Sequence, residues 1–279
     1  FIILINNIYR MSCNDKLKIM SFNIWFDSYK RLERLFALFN VINEEKPDVV
    51  CLQEVLNSQY DIIKQNLNYK YHYPDEINCS YGCAILSKYP IKNAEIIQMQ
   101  SNMKRVLTLI EININDSANS VNTENSVNTE NSVNTENNYS TVIANVHFES
   151  EFGKNNIFKL SQFNQVSKIL NDITNKNIIL AGDTNITDEE EFTYNNNFNF
   201  LKDSWIEDGQ CNNKKYTYDC ETNENLQLKN INLRKRIDRI LYKGNTVKLK
   251  NFKLPILSLV LFSNFFNFFF FLIFIFFRV

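Results

Sequence analysis

The sequence predicts an α/β fold, and three observations carry that prediction. Short apolar runs end abruptly in polar clusters, as in Asn177-Ile178-Ile179-Leu180-Ala181-Gly182-Asp183-Thr184-Asn185, where a buried strand leads through Gly182 into a loop. Stretches with apolar residues at helical spacing separate such runs, for example Leu32, Leu35, Phe36, Phe39 and Ile42. The chain has 279 residues, 44% of them hydrophobic, enough for one large domain with its own core.

Taken in order, residues 16–24 alternate loosely and read as a strand that presents Asn23 at its end. A polar turn at Asp27-Ser28 opens the first amphipathic helix, which runs to about Glu45 and is stopped by Pro47. Residues 48–52 form a short buried strand ending in Gln53-Glu54, and a second helix covers 58–67. Residues 80–86 read as a strand turned back at Lys88-Tyr89-Pro90 into another over 91–99, and 105–114 continues the antiparallel run.

Residues 116–138 break the pattern. Ser-Val-Asn-Thr-Glu-Asn is repeated three times in tandem there with no aromatic residue, so the segment can bury no face and reads as a disordered low-complexity loop joining two hairpin strands. Residues 141–146 resume as a strand that delivers His147-Phe148-Glu149-Ser150. A helix with Phe163, Val166, Ile169, Leu170 and Ile173 on one face follows, then the strand ending at Asp183. Residues 201–205, 216–218 and 236–242 are shorter strand candidates.

The single domain is expected over 11–255. Residues 1–10 lack an initiator Met and read as a non-native extension before Met11. Residues 256–279 are an apolar, Phe-rich tail, long enough at roughly 20 residues to cross a bilayer as a helix. Both ends are dominated by residues with A/T-rich codons, so translated non-coding sequence is the preferred reading and a membrane anchor the competing one. Without the tail no stable membrane association is expected.

Net charge is −1, which excludes coating of nucleic acid by bulk positive charge; contact with a polyanion must be local or bridged by metal. The six cysteines contain no CxxC pair and only His72 and His147 accompany them, which argues against a zinc site. Cys51 and Cys83, in apolar runs, read as buried free thiols that suit a reducing compartment.

Four separate strands thus end in polar groups: Asn23, Gln53-Glu54, His147 with Glu149-Ser150, and Asp183 with Asn185. In α/β proteins such ends are where chemistry is placed. If strand geometry persists past Asp183, Asp183 and Asn185 point the same way, one an ionisable acceptor and the other a neutral donor. The set suits metal-assisted phosphodiester hydrolysis. Glu54 would hold Mg²⁺, with Mn²⁺ as a substitute; Asp183 would orient or deprotonate the attacking water; Asn185, Asn23 and His147 would hold phosphoryl oxygens.

Ser21-Phe22-Asn23, Gln53-Glu54, Tyr81-Gly82-Cys83-Ala84-Ile85-Leu86-Ser87, His147-Phe148-Glu149-Ser150 and Gly182-Asp183-Thr184-Asn185 together resemble the endonuclease/exonuclease/phosphatase superfamily of Mg²⁺-dependent phosphodiesterases. Within it the likeness is strongest to the branch that removes topoisomerase II remnants from DNA 5′ ends. Met103-Lys104-Arg105, Asp203-Ser204-Trp205, Tyr216-Thr217-Tyr218-Asp219 and Lys235-Arg236-Ile237-Asp238-Arg239 are similar to that branch too, and the likeness runs in order from about residue 16 to 242.

The resemblance implies a two-sheet α/β sandwich of DNase I-like type with flanking helices, and a monomer acting in the nucleus, with the cytoplasm as a second location. It implies Glu54 as metal ligand, Asp183 and Asn185 as the catalytic pair, and Asn23 and His147 as phosphate-binding catalytic groups. Ser150, Thr184, Tyr81, Tyr218 and Arg105 are implied as substrate neighbours, Tyr218 keeping an aromatic face for stacking. Two arginines that relatives use near the substrate are replaced by Phe152 and Thr187. The superfamily ends with Ser-Asp-His on a final strand. No third histidine exists here, so the last strand is expected to be missing and the chain as written to lack a catalytic residue. The alternatives are another superfamily phosphodiesterase, sphingomyelinase-like from Asn23-Ile24-Trp25 or deadenylase-like, and a catalytically dead DNA-end-binding module.

Overall fold

Two βαβ units set the architecture. The computed structural model describes residues 16–114, 140–150, 156–186, 190–221, 223, 233–244, 246–254 and 273–278. In the first unit, β1 (Lys16–Asn23) runs through helix α1 (Arg31–Glu45) to β2 (Val49–Val55), and the two strands pair in parallel with Asn23 opposite Gln53. In the second, β7 (Thr141–His147) runs through α3 (Asn156–Asn171) to β8 (Asn177–Asp183), again in parallel, with His147 opposite Asp183. A parallel pair needs a crossover of this kind, and it leaves both C-terminal ends on the same side. α1 ends as its sequence requires, with Lys46 in the left-handed region at φ 50 directly before Pro47.

Around the first unit, α2 (Asn57–Asn66) leads to β3 (Tyr71–Tyr73) and β4 (Gly82–Ser87). Together with β13 (Lys248–Lys253) and β14 (Ile273–Arg278) these strands form a six-stranded sheet in the order β13-β14-β1-β2-β4-β3. Around the second unit, β5 (Ile91–Gln98), β6 (Val106–Ile112), β9 (Lys202–Asp203) and β12 (Asp238–Lys243) build a six-stranded sheet in the order β5-β6-β7-β8-β12-β9. Helices α4 (Glu191–Asn197) and α5 (Ser204–Glu207) flank it, and β10 (Tyr218–Asp219) and β11 (Arg234–Lys235) form a separate two-stranded ribbon.

The period-2 alternation of β8 shows how the layers stack. Ile179 and Ala181 join a core that also contains Leu17, Ile19, Val50 and Leu52 of the first sheet, while Ile178 and Leu180 join Phe163, Val166 and Leu170 of α3 on the opposite face. Both faces of β8 are covered, so its run is continuously apolar. The two-sheet α/β sandwich implied by the resemblance is the fold.

Two sequence expectations change. Residues 201–205 are only a two-residue strand followed by a helical turn, because Asp203 caps it by accepting from the Trp205 N–H at 3.0 Å. The strand expected to be missing is present: residues 273–278 pair antiparallel with β1 on one side and with β13 on the other. An uncharged Phe/Ile run satisfies a strand inside a sheet as well as a helix, and periodicity cannot separate the two; β1 needed a partner, and this run meets it. Among the described residues no helix is long and apolar enough to cross a membrane. Residues 1–10, the insert 116–138, the tail 256–272, Phe152 and Thr187 lie outside the described residues, although β6 and β7, on either side of the insert, pair antiparallel as a hairpin should.

Candidate active site

Four strand ends meet at one edge of the sandwich, and side-chain parity decides which groups face each other. On β7, Ile143 and Asn145 point between the sheets, so His147 does too; on β8, Ile179 and Ala181 carry Asp183 to the same side. A buried polar bridge locks the layers just below: Gln53 Nε2 donates to Asn145 Oδ1 at 2.7 Å and to Ser21 Oγ at 3.2 Å, and Asn145 Nδ2 donates to the carbonyls of Leu52 and Ala84. Strict alternation would then send Glu54 to the opposite face from Gln53. A bulge prevents this: the β2–β4 register shifts between Leu52 and Val55, and Glu54 takes the left-handed conformation at φ 56. One extra residue re-aims the carboxylate into the mouth. Gly182 is needed for a related reason, since a Cβ there would lie 1.9 Å from the Val146 carbonyl oxygen.

Asn23 is the hub of the cluster. Its Nδ2 donates to Glu54 Oε1 and to Asp183 Oδ2, each at 3.0 Å, and its Oδ1 accepts the Trp25 N–H at 2.9 Å. The Phe26 N–H holds the other Glu54 oxygen at 3.1 Å. His147 Nε2 lies 3.5 Å from Asp183 Oδ2 and 3.9 Å from Glu54 Oε1. Arg105 donates to His147 Nδ1 at 2.7 Å, and because a guanidinium has no acceptor, Nδ1 must be the bare nitrogen and Nε2 the one bearing hydrogen. Burial and the Arg105 charge hold the ring well below its ordinary pKa, so it is a neutral N–H donor aimed at the two carboxylates.

Burial, with a contribution from the Glu54 charge, raises the Asp183 carboxyl to about 6. Across the β8–β12 pairing Asp183 sits opposite Asp238, whose carboxyl is pushed well above its usual range by burial and by Asp183. Among the described residues no three carboxylate, imidazole or thiol groups converge on one point. A Mg²⁺ ion does not require that, since it keeps several waters and takes one or two carboxylates plus phosphate oxygens. An exclusively oxygen-bearing acid set, Glu54 with Asp183 nearby and their charges mutually repelling, fits such a hard divalent cation.

The loop after β8 does not continue as strand. Asn185 adopts φ 48, its N–H donates to Asp183 Oδ1 at 3.0 Å, and its Nδ2 donates to the Phe148 carbonyl at 3.0 Å. The expectation that Asp183 and Asn185 project in parallel is therefore corrected: they close a side-chain-mediated turn, as Asp readily does. One N–H of the Asn185 amide remains for a ligand. Lys159 of α3, 1% exposed, supports the turn from behind by donating to the Asn185 carbonyl and to Glu190, both at 2.9 Å.

The residues expected beside the substrate divide. Tyr81 lies at the rim, its ring stacked on Phe26, and Ser150 is half-buried with its hydroxyl 3.2 Å from Met103 sulfur. Tyr218 is on β10, in the ribbon that Thr217 ties to Asp238 through the Asp238 N–H. Thr184 is turned inward: it is buried, and both its N–H and its hydroxyl are spent on the Ile237 carbonyl. Arg105 is likewise buried behind His147 and is not a surface contact. Asp238 and Lys159 were missed as site residues, and Glu149, one of the polar groups at the strand ends, was given no role. Glu149 is buried and shapes the 101–105 loop by accepting from Ser101 Oγ at 2.6 Å and the Asn102 N–H at 3.1 Å. Its adjacency to His147 and the charged run around Asp238 were the available signals; Lys159, one cation on a helix, had none.

A model of the Endonuclease/Exonuclease/phosphatase family matches residues 20–263. The 5′-tyrosyl-DNA phosphodiesterase of Caenorhabditis elegans is 26% identical over 244 residues, covering 84% of this chain and 60% of the relative. Tyrosyl-DNA phosphodiesterase 2 of Bos taurus is 26% identical over 234 residues, covering 81% of this chain and 58% of the relative. The chain thus spans about 60% of the length of these curated relatives. Among solved structures, D. rerio TDP2 complexed with single strand DNA product superposes with a TM-score of 0.76 at 20% identity, covering 95% of this chain and 100% of that one. Truncated C. elegans TDP2 gives 0.69 at 22% identity, covering 95% and 98%.

Proposed function

The chain belongs to the endonuclease/exonuclease/phosphatase family, and from that premise we propose that it is a Mg²⁺-dependent phosphodiesterase hydrolysing 5′-phosphotyrosyl bonds at DNA ends, the remnants topoisomerase II leaves. The observation that carries this reading is the Asn23 amide spanning Glu54 and Asp183 at 3.0 Å each, beside a neutral His147. The relatives named for tyrosyl-DNA phosphodiesterase activity supply the substrate class. We further propose that it acts as a monomer in the nucleus, with the cytoplasm as a second location.

In this reading Asp183 orients the attacking water and accepts its proton. A carboxyl raised to about 6 is a better base near neutral pH than an unperturbed one. The His147 Nε2–H and the remaining Asn185 N–H donate to the non-bridging oxygens as charge builds on them, while Asn23 Nδ2, whose two hydrogens go to Glu54 and Asp183, sets the two carboxylates relative to each other. Arg105 fixes the His147 tautomer for that task, and because the ring stays neutral it donates without giving up its proton. Glu54 would hold the divalent cation, Mg²⁺ or Mn²⁺, which when bound neutralises phosphate charge. Of the two histidines in the sequence, His72 is on β3 at the far edge of its sheet and His147 is the one at the site.

The test is release of a 5′-phosphate end from a 5′-tyrosyl oligonucleotide by the full chain. Glu54→Ala and Asp183→Ala should each lower kcat/KM by about 100-fold or more, and a chelator should abolish turnover. Variants that cut as well as wild type would sink the proposal. Sphingomyelin and oligoadenylate in the same panel separate it from sphingomyelinase-like and deadenylase-like activities.

A further inference from the structure

The backbone that leaves β1 places an aromatic ring where the cluster opens to solvent. Phe26 is tied to Glu54 through its N–H at 3.1 Å, yet the residue is 38% exposed and its ring takes no place in either core. That ring stacks on Tyr81, with centroids 4.6 Å apart and planes 15° from parallel. The Arg105 guanidinium lies 5.5 Å from the Tyr81 centroid and holds His147 at 2.7 Å. The two rings therefore form a ledge attached at one end to Glu54 and at the other to the Arg105–His147 pair. Holding Glu54 needs only a backbone N–H, which any residue but proline supplies, so that contact does not account for a large exposed ring.

In-line displacement at phosphorus puts the attacking water and the departing oxygen on opposite sides. With the water at Asp183, the departing group leaves toward the Glu54 side of the Asn23 bridge, where Phe26 is anchored. We propose that the Phe26–Tyr81 ledge is the subsite for the leaving group and selects a planar aryl ester over an aliphatic one, with Phe26 as a specificity-determining residue. This rests on the phosphodiesterase reading and deepens it, by naming the part of this chain that recognises the non-nucleotide half of the substrate. Offset stacking supplies the attraction, and because it needs a flat π-face it discriminates against a seryl-type side chain.

A nucleobase at the 5′ end offers the same flat chemistry, so the experiment separates the two. Four oligonucleotides of one sequence are compared: 5′-phosphotyrosyl and 5′-phosphoseryl ends, each with a normal or an abasic first nucleotide. Phe26→Ala should lower kcat/KM for the tyrosyl ester by about 10- to 100-fold, mainly through KM, leave the seryl ester within about threefold of wild type, and act alike on normal and abasic ends. Phe26→Trp should restore the tyrosyl ester. Equal losses on both esters would reduce Phe26 to a backbone support for Glu54 and overturn the proposal, as would a loss that follows the first base. Binding of free phosphotyrosine and phosphoserine, followed by NMR titration of the full chain, reads the ledge without turnover. If wild type cuts no ester, the phosphodiesterase reading fails; a phosphotyrosine preference lost in Phe26→Ala still supports the ledge, and equal binding of the two amino acids overturns it.

Discussion

Asp183 is 4% exposed, and its folded-state carboxyl titrates at about 6, against 3.8 for an unperturbed one. Between those two values the folded chain binds more protons than the unfolded one, so stability is highest below about pH 4 and falls as pH rises through about 6. Above that window the buried charge costs up to about 3 kcal/mol. Asp183→Asn should therefore raise the urea midpoint at pH 8 in the presence of a chelator, with the gain vanishing near pH 4, while turnover is lost. Mg²⁺ should narrow the difference by compensating the Asp183 and Glu54 charges. An Asn variant no more stable than wild type at pH 8 would mean that the Asn23 and Asn185 N–H donors already offset the burial. The trade matches a site whose groups serve chemistry more than stability.

At the scale of elements, the turn after β8 is held from three sides: by Asp183 Oδ1 on the Asn185 N–H, by the Phe148 carbonyl on its amide, and by Lys159 of α3 on its carbonyl. Lys159 is thus a positioning residue that touches no reacting atom. Lys159→Met keeps the apolar stem and removes the donor; kcat should fall about tenfold, near 1.4 kcal/mol of barrier, with KM within about twofold, and Lys159→Arg should recover part of it. A fall in thermal midpoint with kcat unchanged would make Lys159 a core contact only. The helices α1 and α3 were legible in the sequence because their apolar residues recur every three to four positions. The positions of Arg105 and Thr184 were not, because a hydrogen bond to His147 or to the Ile237 carbonyl depends on which strands become neighbours.

For the whole molecule, β1 is flanked by β2 on one side and β14 on the other, the latter pairing with it from Lys16–Arg278 to Ser21–Ile273. β1 also carries Asn23, so the hub of the site hangs on a strand that the C-terminal run completes. A chain ended at residue 272 should show faster amide exchange at residues 16–21 and a thermal midpoint lower by at least several degrees. Unchanged protection there would mean that β13 alone closes the sheet. The cross-sheet Gln53–Asn145 bridge joins the same edge to the second sheet, so loosening β1 should be felt at His147 and Asp183 as well.

By itself, the sequence determined the alternation of strands and helices, the polar tips Asn23, Gln53-Glu54, His147 and Asp183, and the family the motifs resemble, because periodicity and strand ends are local properties of the chain. Tertiary structure decided that a bulge turns Glu54 into the mouth, that Asn185 folds back in a left-handed turn, that Arg105 sets the His147 tautomer, and that the Phe/Ile run ending in Arg278 becomes a strand beside β1. Each of those outcomes depends on a partner distant in sequence, and a pattern read along one chain carries no record of which distant groups will meet.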